Sequence, residues 1–174
     1  MYESAVAEYK YYEAACPNCG TIGKLMPHGK YGRNIVSYKN GEVSDEKVQT
    51  QRYKCKSCKY THAFLADVLI PNSSYSLCFL LSVLLAYFER SLTVAAICAK
   101  FRIVKSTLYE WKNRFMDHKK LLLGELLNVK TSALAFIREC LDSEDWPSPL
   151  QWFHEIYGFV FLQAKRPMIR LVPP

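Results

Sequence analysis

The most apolar run of the chain goes from residue 77 to residue 88, about twelve residues containing Cys78 and Ser82, and it predicts a core helix. Ser73 and Ser74, after Pro71, are candidate caps for its start, and Glu89-Arg90 close it. A bilayer needs about 20 such residues, so no segment is expected to cross a membrane. Residues 92–115 follow with apolar positions at Ile97, Phe101, Ile103, Leu108, Trp111 and Phe115. That spacing packs two helices across a short turn. Ser91 or Thr93 is placed to cap the first of them. The second begins near Lys105 and continues through His118-Lys119-Lys120 towards Leu127.

Residues 131–141 are apolar at helical spacing (Leu134, Ile137, Leu141) and predict a further helix. Residues 142–145 read as a loop. Pro147-Ser148-Pro149 then lead into residues 150–157, with Gly158 as a stop, and residues 159–162 read as a short strand or part of a helix. The aromatic residues of this end either close the core of the chain or form a dimer face. The expected fold class is α+β, with a small amino-terminal β unit ahead of a mainly α-helical bundle. The expected domains are residues 1–66, 67–127 and 128–174, the last a helical extension.

The β unit is inferred from two pairs of cysteines, Cys16-Pro17-Asn18-Cys19 and Cys55-Lys56-Ser57-Cys58. Thiolates at i and i+3 of a tight turn point at one cation, and two such turns supply four sulfurs for a closed tetrahedral Zn²⁺ site. One structural zinc is therefore expected, held by Cys16, Cys19, Cys55 and Cys58. A closed four-thiolate shell leaves no position for water, so the metal supports the fold and performs no chemistry. The 35-residue spacer exceeds the usual roughly 15–20 and predicts an extended hairpin or an added loop.

Disulfides or unrelated thiols are the alternative for these cysteines. The odd total of seven and an amino terminus unlike a secretory signal weigh against them. His28 and His62 are expected beside the ribbon, with a turn of the chain at His28-Gly29. Cys78, Cys98 and Cys140 read as buried small hydrophobes.

Formal charge is +7, unevenly spread. Residues 1–60 hold ten Lys or Arg against six Asp or Glu, and residues 99–120 hold seven against two. Positive charge on the β unit and on one later helix is the footprint of a nucleic-acid binder, a solvated basic face being the bland alternative.

The stretch 92–115 resembles a helix-turn-helix, with Cys98 at the close helix crossing. Two positions depart from the pattern. Arg102 stands where Gly is usual, and must either accept a left-handed backbone or reshape the turn. Val104 replaces the usual Ser or Thr cap, which shifts the expected cap to Ser106.

The resemblance implies that residues 105–118 form the recognition helix. Lys105, Ser106, Thr107, Tyr109, Glu110 and Asn113 would then lie towards base edges, with Lys112 and Arg114 near phosphates. Cys16-Pro17-Asn18-Cys19-Gly20, His28-Gly29 and residues 51–58, followed by this unit, are together similar to the amino-terminal DNA-binding half of bacterial insertion-sequence transposases. Small bacterial proteins of the same layout share it. Lys59, where such knuckles often carry Gly, is a departure.

The resemblance implies a ribbon and helix unit that hold double-stranded DNA, with strand chemistry in a separate acidic-triad domain. That domain is absent from the pattern. Asp67, Asp117, Asp142 and Asp145, with Glu139 and Glu144, sit on no alternating stretch that would build a catalytic sheet, so no enzyme activity is expected.

The expected function is sequence-specific duplex binding by a transcription regulator or a mobile-element accessory factor, cytoplasmic and nucleoid-associated. Its expected partners are DNA, a second copy in a homodimer, and a recombination or transcription protein. A non-enzymatic protein adaptor and a subunit of a recombinase remain the alternatives.

Overall fold

The computed structural model describes residues 10–63, 69–125, 132–142, 150, 153, 157 and 160–164, with side chains of 122–125 excepted. Its architecture is α+β: a three-stranded antiparallel sheet precedes four helices among the described residues. Strands β1 (Leu25–Lys39) and β2 (Glu42–Cys55) form one long hairpin, and β3 (Thr61–Ala63) pairs with the end of β2. At ~3.3 Å per residue the hairpin is roughly 45–50 Å long.

The turn at its tip is Asn40-Gly41, both at positive φ (52° and 86°), between the paired Lys39 and Glu42. Two successive left-handed residues match the right-handed twist of the strands, and Asn-Gly accepts that conformation at least cost. The chain does not turn back at His28-Gly29, as the sequence reading expected. The pairing steps from Pro27↔Tyr53 to Lys30↔Gln51, so His28 and Gly29 together face Arg52 as a bulge, with Gly29 at φ 91°. The long spacer between the cysteine pairs is thus an extended hairpin.

Helix α1 (Leu77–Glu89) buries Leu77, Phe79, Leu80, Leu81, Val83, Leu84 and Ala86, nearly all round its circumference, as a central helix must. Its cap is Ser76, whose hydroxyl accepts from the Phe79 N–H at 3.1 Å, rather than Ser73 or Ser74. Ser73 instead turns the chain locally, its Oγ accepting from the Tyr75 N–H. Arg90 closes α1 in the left-handed conformation.

Helix α2 (Val94–Phe101) is capped by Thr93, which accepts from the Ala96 N–H at 3.2 Å. It ends with Arg102 N–H on the Ala99 carbonyl and Ile103 N–H on the Cys98 carbonyl. These are the paired bonds of a Schellman turn, with Arg102 at φ 54° where Gly is favoured. Arg102 therefore accepts the left-handed backbone and the turn keeps its shape.

Helix α3 (Lys105–Glu125) opens with Leu108 N–H on the Val104 carbonyl, so Ser106 stands inside the first turn and is not the cap. Helix α4 (Ala133–Asp142) is capped by Ser132 and buries Phe136, Ile137 and Cys140, with Leu134 half-buried.

The main core joins all four helices. Phe115 lies 5.6 Å from Phe88, 6.1 Å from Phe136 and 5.9 Å from Phe161, ring to ring. Leu150, Phe153, Phe161 and Leu162 are buried in it, so the described aromatics of the last third fill this core. Residues 160–163 form a turn, with Gln163 N–H on the Val160 carbonyl and Leu162 left-handed, rather than a strand or helix. Leu127 and residues 143–149 lie outside the described residues. Cys140 is buried as expected; Cys98 is only half-buried, and Cys78 is exposed on the outer side of α1.

The tip half of the hairpin docks on this core. Val36, Tyr38 and Val43 pack against it, with the Tyr38 ring 4.8 Å from Phe101. Val36 also exchanges backbone bonds with Ser74 and Ser76. Arg33 donates to the carbonyls of Ile70 and Ser73, fastening the hairpin to the segment before α1.

Candidate metal centre and helical face

The two cysteine pairs sit on turns of matching construction. In one, Gly20 N–H bonds the Cys16 carbonyl (2.8 Å) and Cys16 N–H bonds the Thr21 carbonyl (3.0 Å). In the other, Lys59 N–H bonds the Cys55 carbonyl (3.0 Å) and Cys55 N–H bonds the Tyr60 carbonyl (2.9 Å). Gly20 (φ 71°) and Lys59 (φ 62°) fill the same left-handed position, so Lys59 takes the conformation usually left to Gly. That costs an L residue ~1–2 kcal/mol. Lys56 N–H on the Lys24 carbonyl ties the turns together.

The result is one cluster. Cys16, Cys19, Cys55 and Cys58 place their sulfurs within 4.8 Å of one another. The Sγ–Sγ separation is 3.7 Å for Cys16 and Cys58, and 3.8 Å for Cys19 and Cys55. A tetrahedron with ~2.3 Å metal–sulfur bonds has edges of about 3.8 Å, whereas a disulfide holds its sulfurs at about 2.05 Å. The four thiols are free, and their spacing suits a structural metal site. Beneath them Leu25 and Tyr53 are buried, with Tyr11 stacked on Tyr53 at 5.1 Å.

The thiols differ in proton affinity. Burial pushes Cys16 up to about 11. The Thr21 hydroxyl, 3.4 Å from Cys19 Sγ, and the Thr21 backbone bring Cys19 down to about 6. Backbone hydrogen bonding from Cys58 lowers Cys55. His62 lies beside the cluster, where it was expected, with Nε2 3.3 Å from Cys16 Sγ. Burial lowers its pKa. His28 is exposed on the bulge.

The face of α3 divides in two. Lys105, Ser106, Tyr109, Glu110 and Asn113 are exposed and share one stripe of the helix, at spacings of one, three and four residues. Tyr109 is braced edge-on by Tyr87 at 6.3 Å. Leu108, Trp111 and Phe115 are buried behind them. Thr107 is half-buried.

Lys112 is also half-buried, with Nζ 3.2 Å from Asn113 Oδ1. Arg114 is drawn inward: it pairs with Glu110 and donates to the Leu162 carbonyl at 3.1 Å, and its side chain is 18% exposed. Leu162 N–H in turn donates to Nδ1 of the buried His118 at 2.9 Å. Arg114 thus anchors the turn at 160–163, a role that depends on residues about fifty positions away and leaves no local mark in the sequence.

Among the described residues the four cysteines are the group of metal-ligating side chains brought together. Asp117, Glu139 and Asp142 are exposed on helices, and Asp67, Glu144 and Asp145 lie outside the described residues. No described helix is long and apolar enough to cross a membrane.

A family described as "Domain of unknown function (DUF6431)" matches residues 16–111, more than half of the chain, and the chain belongs to that family. The matched segment runs from the first clustered cysteine through the hairpin, α1 and α2 to Trp111 on α3. No curated protein and no solved structure matches the chain.

Proposed function

We propose that this member of the family is a sequence-specific double-stranded DNA-binding protein, in which a zinc ribbon supports a helix-turn-helix. The observation that carries the reading is the α2–α3 pair. A Schellman turn at Arg102 sets α3 at its angle, and α3 then presents Lys105, Ser106, Tyr109, Glu110 and Asn113 as one exposed stripe. Those side chains suit base edges: Asn pairs two ways with adenine, Glu accepts from the cytosine amino group, and Lys donates to guanine. Lys100 and Arg102, exposed at the end of α2, extend the positive surface towards phosphates.

Zinc is the metal that suits four thiolates at tetrahedral spacing. When bound it cross-links the two knuckles, and its closed shell provides no site for a reacting water. The hairpin carries that support to the helices, because its tip is built into their core. The role is that of a transcription regulator or an accessory factor of a mobile element, with a recombination or transcription protein as its further partner.

The test is selection of bound fragments from a random duplex library by the zinc-loaded protein at physiological salt. Enrichment of one motif supports the reading, and a palindromic motif adds a homodimer. Retention without enrichment overturns specific recognition and leaves only charge at work.

A further inference from the structure

The hairpin is electrically lopsided. Its metal end, residues 10–33 and 51–63, carries eight Lys or Arg and a single acid, Glu13. The tip, residues 34–50, carries Lys39 and Lys47 against Glu42, Asp45 and Glu46. The tip is docked, so this positive charge lies on the undocked end, apart from Arg33, which bonds the segment before α1. Aromatic rings stand among those cations. Tyr60 is 53% exposed and Tyr31 36% exposed.

Both tyrosines line one open groove of about 680 Å³ between the metal end and the segment 71–74. Clefts of ~300–1,000 Å³ seat drug-sized ligands, so the groove admits a nucleobase. Tyr60 is held against the His62 ring at 5.1 Å, and the Arg52 guanidinium lies 5.8 Å from the Tyr31 ring centre. Thr61, Asn72 and Ser74 add polar groups to the walls. Arg33 fixes the groove's width by bonding the Ile70 and Ser73 carbonyls across it.

Rings that offer a π-face beside cations that track phosphates are the recognition chemistry of unpaired strands, because a base can stack only when it is not already paired and stacked. We infer that this groove binds single-stranded nucleic acid, separately from the stripe on α3. Bases stack on Tyr60 and Tyr31, while Arg52, over the Tyr31 ring, and Lys59, next to Tyr60 and exposed, meet the backbone. Oligodeoxynucleotide and oligoribonucleotide share this chemistry, and the probes below distinguish them.

The experiment is fluorescence anisotropy with the zinc-loaded full chain, using labelled oligothymidylate and oligouridylate of about 12 nucleotides. Tyr60→Ala and Tyr31→Ala are each expected to weaken binding about 5- to 100-fold, while Tyr60→Phe, which keeps the ring, leaves it unchanged. Zinc content and circular dichroism verify that each variant is folded. Tighter binding of one probe identifies DNA or RNA as the source. Asn113→Ala, on α3, leaves single-strand binding intact, so a failure of the duplex reading is visible apart from a failure of this one. Absence of saturable binding to either probe overturns the inference, as does an equal effect of Tyr60→Ala and Tyr60→Phe.

Discussion

Removing the metal is predicted to melt one end of the hairpin and leave the rest of the molecule folded. Around the cysteines, among the described residues, Leu25 and Tyr53 are the buried apolar side chains apart from the ligands themselves. At ~1.5–3 kcal/mol each they contribute roughly 3–6 kcal/mol. A four-thiolate zinc contributes ~10–16 kcal/mol in small domains, about two to five times as much. Among the described residues the helical core instead holds twenty-one buried side chains, none of them from the metal end, and the hairpin tip is bonded to that core through Val36.

The assay is hydrogen exchange before and after chelation. Amides of Cys16, Gly20, Cys55 and Lys59, whose bonds close the two knuckles, should lose protection. Amides of Val36, Ser76 and Leu80 should keep it. Cys58→Ser should reproduce the pattern with zinc present. Retained protection in the knuckles would show that the metal is not their support. Joint loss in α1 would show one cooperative unit, and the separation argued from the two cores would be wrong.

Three further outcomes follow from particular contacts. Metal ligation requires thiolates, and in knuckles that open without the metal the cysteines hold their protons in the ordinary thiol range, so binding near pH 7 releases protons. Affinity should therefore fall steadily on acidification; chelator competition across pH 5–8 reads this, and an affinity independent of pH contradicts it. Lys59 is left-handed at φ 62°, so Lys59→Gly should stabilise by about 0.5–1 kcal/mol and Lys59→Val destabilise by about 1–2 kcal/mol in denaturant titrations, a result of opposite sign refuting the strain. Arg114→Ala removes a charged donor from the Leu162 carbonyl and should cost about 1–3 kcal/mol with duplex affinity little changed, whereas Lys105→Ala should leave stability alone and flatten the salt dependence by roughly 0.9 log unit; a reversed pattern would make Arg114 the phosphate contact.

What the sequence by itself determined about this chain is what local geometry dictates. Two thiols at i and i+3 share a turn whatever surrounds them, so the four cysteines named the cluster before any fold was known. Apolar residues at helical spacing located α1, α2, α3 and α4, and the left-handed option at Arg102 was visible because the turn between α2 and α3 admits few backbones. Asn40-Gly41, between the two strands, is an equally local hairpin signal, and it marks the turn that His28-Gly29 does not make.

What only the tertiary structure decided depends on groups distant along the chain. Val36 and Tyr38 meet the helical core because a long hairpin reaches it, and no local period records that reach. Ser76 caps α1 in place of Ser73 or Ser74 because the Val36 carbonyl accepts its N–H and fixes where the helix begins. Arg114 turned inward because Leu162 presents a carbonyl to it, and His62 lies against Cys16 because β3 pairs with β2. Side-chain type and spacing specify what a residue is able to do. The partner it finds across the fold specifies which of those things it does.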